Sequence, residues 1–100
     1  MSLLKWGVAN ETMILRSDQA SAFGRLHRAL GRIGEVYEVR SGSLLRGRTR
    51  VGLQRVSLNV SVTSEDGDAQ TVLIEAFADD IWGGGARLGI RKFKRAVDQC

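Results

Sequence analysis

Strict alternation of apolar and polar residues begins at Val56, and the apolar set resumes at Val72 after a polar segment. Two segments, 56–63 and 72–78, each place an apolar residue at every second position. A period of two puts each set of side chains on one face of a pleated strand, so the pattern predicts two half-buried strands joined as a β-hairpin. The apolar positions of the two strands are Val56, Leu58, Val60, Val62, Val72, Ile74, Ala76 and Ala78.

The loop between these strands permits two registers. A two-residue type I′ turn at Asp66-Gly67 sets Val60 opposite Leu73, which mixes the buried and solvated faces. A three-residue loop with Gly67 in the left-handed position of a G1 bulge sets Val60 opposite Val72 and keeps the faces apart. We therefore predict the three-residue loop. This register also pairs Leu58 with Ile74 and Val56 with Ala76.

Two segments have the period of an α-helix. The first stripe consists of Phe23, Leu26, Leu30 and Ile33, and the second of Ala86, Ile90, Phe93 and Val97. Ser17 or Asp18 is the predicted N-cap of the first helix, and Gly31 or Gly34 its end.

Weaker alternation predicts three more strands. These strands cover 12–16, 35–40 and 44–51, and the last two are joined by a loop whose register pairs Tyr37 with Leu45 on the core face. In addition, residues 3–8 form either an edge strand or a packed arm. The predicted order is β-α-β-β-β-β-α: an α+β fold with a curved antiparallel meander of four to five strands and two helices packed on one face.

Composition supports one soluble domain over residues 1–100. The apolar fraction is 43% and the charged fraction 26%, which is ordinary for a globular domain. No apolar run approaches the roughly 18 residues that a membrane span needs, so we expect no membrane partner. Because Cys100 is the only cysteine, we expect no internal disulfide and a cytoplasmic location.

Charge is unevenly distributed. The net charge of +4 combines +6 in residues 1–55, −6 in residues 56–86 and +4 in residues 87–100. The predicted hairpin is acidic and its surroundings are basic. Either the segments neutralise one another on folding, or a basic surface remains for an acidic partner.

The spacing of glycines in the first half of the chain suggests a resemblance to a known family. The segments Ala29-Leu30-Gly31-Arg32-Ile33-Gly34 and Gly42-Ser43-Leu44-Leu45-Arg46-Gly47, followed by the meander and the final helix, resemble small helix-grip domains. Many of these are uncharacterised bacterial proteins, and some are accessory or lipid-associated modules. The resemblance implies the fold and carries no catalytic motif.

A row of arginines is the leading candidate site. Arg46, Arg48 and Arg50 alternate along one predicted strand, on the face turned away from the helices, and Arg55 extends the row. Such a row fits an acidic partner or the phosphates of a nucleic acid. Glu38 and Glu75 are predicted on the same face, where they would neutralise part of it.

Two further groups of residues are candidate sites. Gly83, Gly84, Gly85 and Arg87 precede the last helix and suggest a phosphate site, for which a flexible hinge is the simpler interpretation. Leu44, Leu73 and Phe77 on the outer face suggest a two-fold self-association patch.

No metal, cofactor or catalytic residue is assigned. His27 is the only histidine, and no nucleophile or ligand spacing accompanies it. We therefore expect a non-enzymatic interaction module, with a protein partner or a second copy as a homodimer. Nucleic-acid binding through the arginine face is the alternative. Small-molecule binding between the sheet and the helices is a further one, in a groove lined by Phe23, Leu26, Leu58, Val60, Ile74 and Phe93.

Overall fold

The computed structural model describes residues 7–40, 43–66, 68–78 and 84–100. These residues form five strands and two helices in the predicted order, and the predicted α+β class is confirmed. The elements are β1 (Gly7–Leu15), α1 (Gln19–Ile33), β2 (Gly34–Arg40), β3 (Leu44–Val51), β4 (Gln54–Asp66), β5 (Ala69–Ala78) and α2 (Gly84–Gln99). Neither helix in these ranges has the length and apolar character needed to cross a bilayer.

The strands form one open antiparallel sheet in the order β1-β5-β4-β3-β2. Strands β2 to β5 are the predicted meander, and β1 pairs with β5, with Ala9 opposite Ala76. β1 is longer than predicted, since it already begins at Gly7. The N-terminal strand therefore makes one edge of the sheet and β2 makes the other.

The predicted register of the β4–β5 hairpin is wrong by two residues. Val60 lies opposite Ile74 rather than Val72. At the turn Asp66 pairs with Ala69, and the same register continued along the whole hairpin would place Val60 opposite Glu75. A register shift between Val62 and Ser64 inserts one extra residue into β4 and restores the match between apolar faces. The conformation predicted for Gly67 lies outside the described residues.

The predicted pairing of Tyr37 with Leu45 is also wrong. Leu45 lies opposite Val39, and the β2–β3 register shifts between Val36 and Glu38, at Tyr37. The Tyr37 side chain is 50% exposed, with the Arg48 guanidinium 5.6 Å from its ring centroid. A β-bulge changes the direction in which the side chain of its extra residue points, so Tyr37 is removed from the core.

Both helices pack on one face of the sheet, with α1 over β2 and β3 and α2 over β1 and β5. Asp18 caps α1 by accepting a hydrogen bond from the Ser21 backbone N–H at 3.3 Å. The helix ends at Ile33, and Gly34 follows as its C-cap. Its buried stripe is rotated from the prediction: Ala22 and Ala29 are buried with Leu26 and Leu30, whereas Phe23 and Ile33 are only partly buried.

The space between helices and sheet is a filled core. Side chains from both layers are completely or almost completely buried there, namely Leu26, Leu30, Leu45, Leu58, Val60, Ile74, Ile90 and Phe93. The four apolar residues predicted for α2 are among those buried. Five of the six residues predicted to line a ligand groove thus pack against other protein atoms, an arrangement that favours a core over a pocket.

Candidate functional site

The turn between β3 and β4 carries the candidate site. Val51 pairs with Gln54, so Gly52 and Leu53 form a two-residue turn. Gly52 has φ of +63°, a left-handed conformation that glycine adopts without steric cost. The Leu53 side chain is fully exposed at the tip.

Two arginines face each other next to this turn. Arg50 of β3 is the direct cross-strand partner of Arg55 of β4, and both side chains are exposed. Neither forms a salt bridge with a carboxylate in the described part of the chain. This end of the hairpin therefore holds positive charge that no ion pair of the described residues compensates. Like charges directly opposite one another destabilise an antiparallel pair.

The rest of the predicted arginine row is partly neutralised. Arg46 Nη1 lies 3.4 Å from Glu38 Oε1, and Arg40 forms an ion pair with the other oxygen of the same carboxylate. Arg48 Nη2 lies 4.0 Å from Glu35 Oε1. The alternation of β3 is as predicted, with Leu45, Gly47 and Thr49 buried between these arginines. The four predicted arginines therefore differ in how far their charge is neutralised. Arg46 is neutralised, Arg48 has its carboxylate only at 4.0 Å, and Arg50 and Arg55 form no salt bridge among the described residues.

Of the two carboxylates predicted to neutralise the row, only Glu38 does so. Glu75 lies opposite Asn59 on one side and Asn10 on the other. No salt bridge joins it to an arginine within the described ranges. Glu35 acts in its place, because the register shift at Tyr37 brings it opposite Arg48.

Helix α2 brings further cations to the same end of the molecule. Lys92 Nζ donates a hydrogen bond of 2.8 Å to the backbone carbonyl of Arg50. An open surface depression of about 430 Å³ joins the turn to the helix. Its lining residues are Arg50, Val51, Gly52, Leu88, Arg91, Lys92 and Arg95.

A second depression of about 470 Å³ lies on the other side of Arg50. It is lined by Gly34, Glu35, Arg48, Thr49, Arg50 and Arg55. Arg50 borders both depressions. We call the surface formed by Arg48, Arg50, Arg55, Arg91, Lys92 and Arg95 the basic end.

The contribution of α2 was missed from the sequence. Its helical period correctly placed Arg87, Arg91, Lys94 and Arg95 on the exposed side. The missing information was which strands the helix crosses, and no local pattern contains it. Lys94 is not counted with the basic end, because its charge is paired: its Nζ lies 3.1 Å from Glu11 Oε1 on β1. Both residues line a depression that Arg91, Arg95 and Asp98 also border.

The three predicted self-association residues are not brought together. Leu44 and Leu73 lie in one row across the sheet, but Ser61 separates them. Phe77 lies four residues further along β5, between Val8 and Ser57. These residues therefore do not make a continuous apolar patch.

The glycine-rich start of α2 is used in packing. Gly84 begins the helix, and Gly85 is buried so closely against the Gln54 side chain that a Cβ would collide with it. Gly83 lies outside the described residues, and Arg87 is exposed. Phosphate binding at this position stays a prediction, since a helix N-terminus alone does not define a site.

The described residues contain no cluster suited to a metal ion. Within residues 7–40, 43–66, 68–78 and 84–100, no group of three or more His, Cys, Asp or Glu side chains is placed to hold a metal ion. His27 is exposed on α1.

Comparison with known proteins adds no further assignment. No protein-family model and no curated protein sequence matches this chain. The resemblance to helix-grip domains therefore stays a prediction, and any function has to be argued from the geometry of the site.

Proposed function

We propose that this protein is a non-enzymatic interaction module that binds an acidic partner through its basic end. The observation that carries the proposal is the direct opposition of Arg50 and Arg55, neither of which forms a salt bridge with a carboxylate of the described residues. An opposed pair of like charges lowers the stability of the hairpin. A bound anion would remove that repulsion, so the two side chains favour an acidic ligand over bare solvent.

The chemistry of the side chains supports the same partner. Guanidinium groups present several N–H donors in a planar fork that matches carboxylate and phosphate oxygens. Arg91, Lys92 and Arg95 add positive charge in the depression that they line together with Arg50. Long-range attraction by such a cluster accelerates association with an acidic partner and weakens as salt is added.

The experiment is salt elution from a heparin column. We expect Arg50→Ser/Arg55→Ser to elute at clearly lower salt than the wild type. The matched control is Arg16→Ser/Arg28→Ser, which removes the same charge from two exposed arginines away from the basic end. Equal shifts for the two double variants would show that net charge alone governs retention, and the proposal would then be wrong.

Nucleic-acid binding along the Arg46, Arg48 and Arg50 face is the second candidate. It is favoured by the confirmed alternation of β3 and by Tyr37, which is half exposed beside Arg48 and is available for base stacking. The two candidates differ at Arg46. A protein that tracks phosphates along the whole face loses affinity for a DNA or RNA oligonucleotide, and part of its salt dependence, when Arg46 is replaced by Ser. A protein that uses only the basic end keeps its affinity and its salt dependence in this variant.

A cytoplasmic location belongs to the same proposal. It is supported by the single cysteine, Cys100, which is compatible with a reducing compartment. Localisation of a tagged full-length chain by microscopy or fractionation tests it.

A further inference from the structure

The edge strand β1 carries a second interaction surface. β1 is nine residues long and pairs only with β5 among the described strands. In an antiparallel sheet every second residue of an edge strand directs its N–H and C=O away from the neighbouring strand. Such a row of backbone groups is a template for another strand unless the edge is blocked.

The two edges of this sheet differ in how they are blocked. β2 carries Glu35, Glu38 and Arg40 within seven residues, and charged side chains are a common protection against edge pairing. β1 carries only one charge, Glu11, which Lys94 holds at 3.1 Å. β1 is therefore the less protected edge.

The outer face of β1 is uncharged and partly apolar. Its side chains are, in order, Val8, Asn10, Thr12 and Ile14. Val8 is 52% exposed and Ile14 64% exposed, so both ends of this row present apolar surface to solvent. The row reads apolar, polar, polar, apolar in either direction, which is the symmetry that a two-fold axis requires.

We infer that β1 pairs antiparallel with β1 of a second copy, about a two-fold axis through Glu11. This arrangement places Val8 opposite Ile14 of the partner subunit twice, on either side of the polar centre. The two Glu11 side chains meet on the helix side, each beside the Lys94 of its own chain. Pairing adds on the order of eight backbone hydrogen bonds and joins two sheets into one of ten strands.

The dimer uses other residues than the proposed function. The basic end lies at the β3–β4 turn and on α2, and none of its residues belongs to β1, although Arg91 and Arg95 line a depression with Glu11. The dimer also differs from self-association through Leu44, Leu73 and Phe77, which are not on the edge strand. A monomer that still depends on Arg50 and Arg55 for heparin binding would overturn the dimer and leave the proposed function intact.

The first experiment is sedimentation equilibrium of the full chain from micromolar to millimolar concentration. We expect a concentration-dependent dimer for the wild type and a dissociation constant raised roughly tenfold or more in Val8→Lys and Ile14→Lys, because each places a charge against an apolar partner. Both side chains are exposed, so folding is preserved. Val39→Lys is the control, since Val39 is 50% exposed on the other edge. A monomer at all concentrations, or a dimer weakened by Val39→Lys alone, would overturn the inference.

The second experiment tests the position of the axis. In a Cys100→Ser background, Glu11→Cys brings two cysteines opposite each other, with a Cα separation inside the range of a disulfide. Oxidation should give a covalent dimer. Glu35→Cys, on β2, should remain monomeric under the same conditions. Cross-linking of Glu35→Cys without cross-linking of Glu11→Cys would contradict pairing through β1.

Discussion

Arg50 and Arg55 are direct partners across the β3–β4 hairpin, one pair of residues before its turn. Four residues earlier along β3, on the same face, Arg46 has a carboxylate partner in Glu38 on the neighbouring strand β2. Among the described residues, one arginine of the row is therefore neutralised, and an opposed pair without an ion-pair partner lies at its end. The cost in stability and the capacity to bind an anion arise from the same two side chains, so one mutation should change both properties.

Reversing one of the two charges should raise stability and weaken binding. Arg55→Glu converts a repulsive cross-strand pair into an attractive one, which stabilises a sheet by about 0.2–1 kcal/mol. We expect a higher urea midpoint together with elution from heparin at lower salt. The two measurements should move in opposite directions.

A double variant checks the origin of that gain. Arg50→Glu/Arg55→Glu restores like charges at the same two positions, so the increase in the urea midpoint should disappear while heparin retention falls further. If Arg55→Glu alone lowered the midpoint, the repulsion between Arg50 and Arg55 would not be a cost to the fold.

Two helical glycines should respond oppositely to alanine. A Cβ at Gly89 would lie 2.7 Å from Val56 Cγ1, where α2 packs on β4. Both residues are buried, so Gly89→Ala should cost about 1–3 kcal/mol in the free energy of unfolding. Gly31→Ala meets nothing within 4 Å on the exposed side of α1 and should gain about 0.5–1 kcal/mol. Urea unfolding of both variants measures the contrast, and equal effects would contradict the close approach of α2 to β4.

The junction between α1 and β2 depends on a buried hydrogen bond. Thr49 Oγ1 donates to the Ile33 carbonyl at 2.8 Å, and Thr49 is buried. Thr49→Val keeps the shape but leaves that carbonyl without this donor, at a cost of about 1–3 kcal/mol. The control is Thr63→Val, which removes a hydroxyl hydrogen bond to the Thr71 carbonyl at an exposed position and should change the free energy of unfolding by less than about 0.5 kcal/mol. Similar losses in the two variants would show that the Thr49 hydroxyl is not the cause.

The N-cap of α1 should make stability depend on acid pH. Hydrogen bonds from Ser21 hold the pKa of Asp18 below its ordinary value of 3.8. A carboxylate whose pKa is lowered by folding contributes stability above its unfolded pKa and loses that contribution as pH falls through the folded value. We therefore expect Asp18→Ala to melt at a lower temperature than the wild type near neutral pH, and the difference to shrink below about pH 4.

Serine at the same position separates the charge from the cap. Asp18→Ser retains a side-chain oxygen for the Ser21 N–H, so it should recover part of the melting temperature lost in Asp18→Ala. The difference between Asp18→Ser and Asp18→Ala should not change over the acid range. A gap between wild type and Asp18→Ala that stayed constant down to pH 2 would contradict the lowered pKa of Asp18.

The sequence by itself determined which face most side chains of β3, β4 and β5 occupy. Val56, Leu58 and Val60 are buried as their alternation predicts, and the arginines of β3 stand on the outer face. The glycine after Ile33 ended α1 where the helical period stopped. These properties are local, because the two-residue and 3.6-residue periods of strand and helix are imposed by the backbone of each segment alone.

Only the tertiary structure decided how the segments meet. Any shift of a strand by two residues preserves its faces, so alternation could not distinguish Val72 from Ile74 as the partner of Val60. The extra residues near Tyr37 and between Val62 and Ser64 re-set both hairpins. The placement of α2 beside Arg50, which creates the basic end, follows from packing across the whole sheet. Such pairings are settled by long-range burial and hydrogen bonding, which no short stretch of sequence contains.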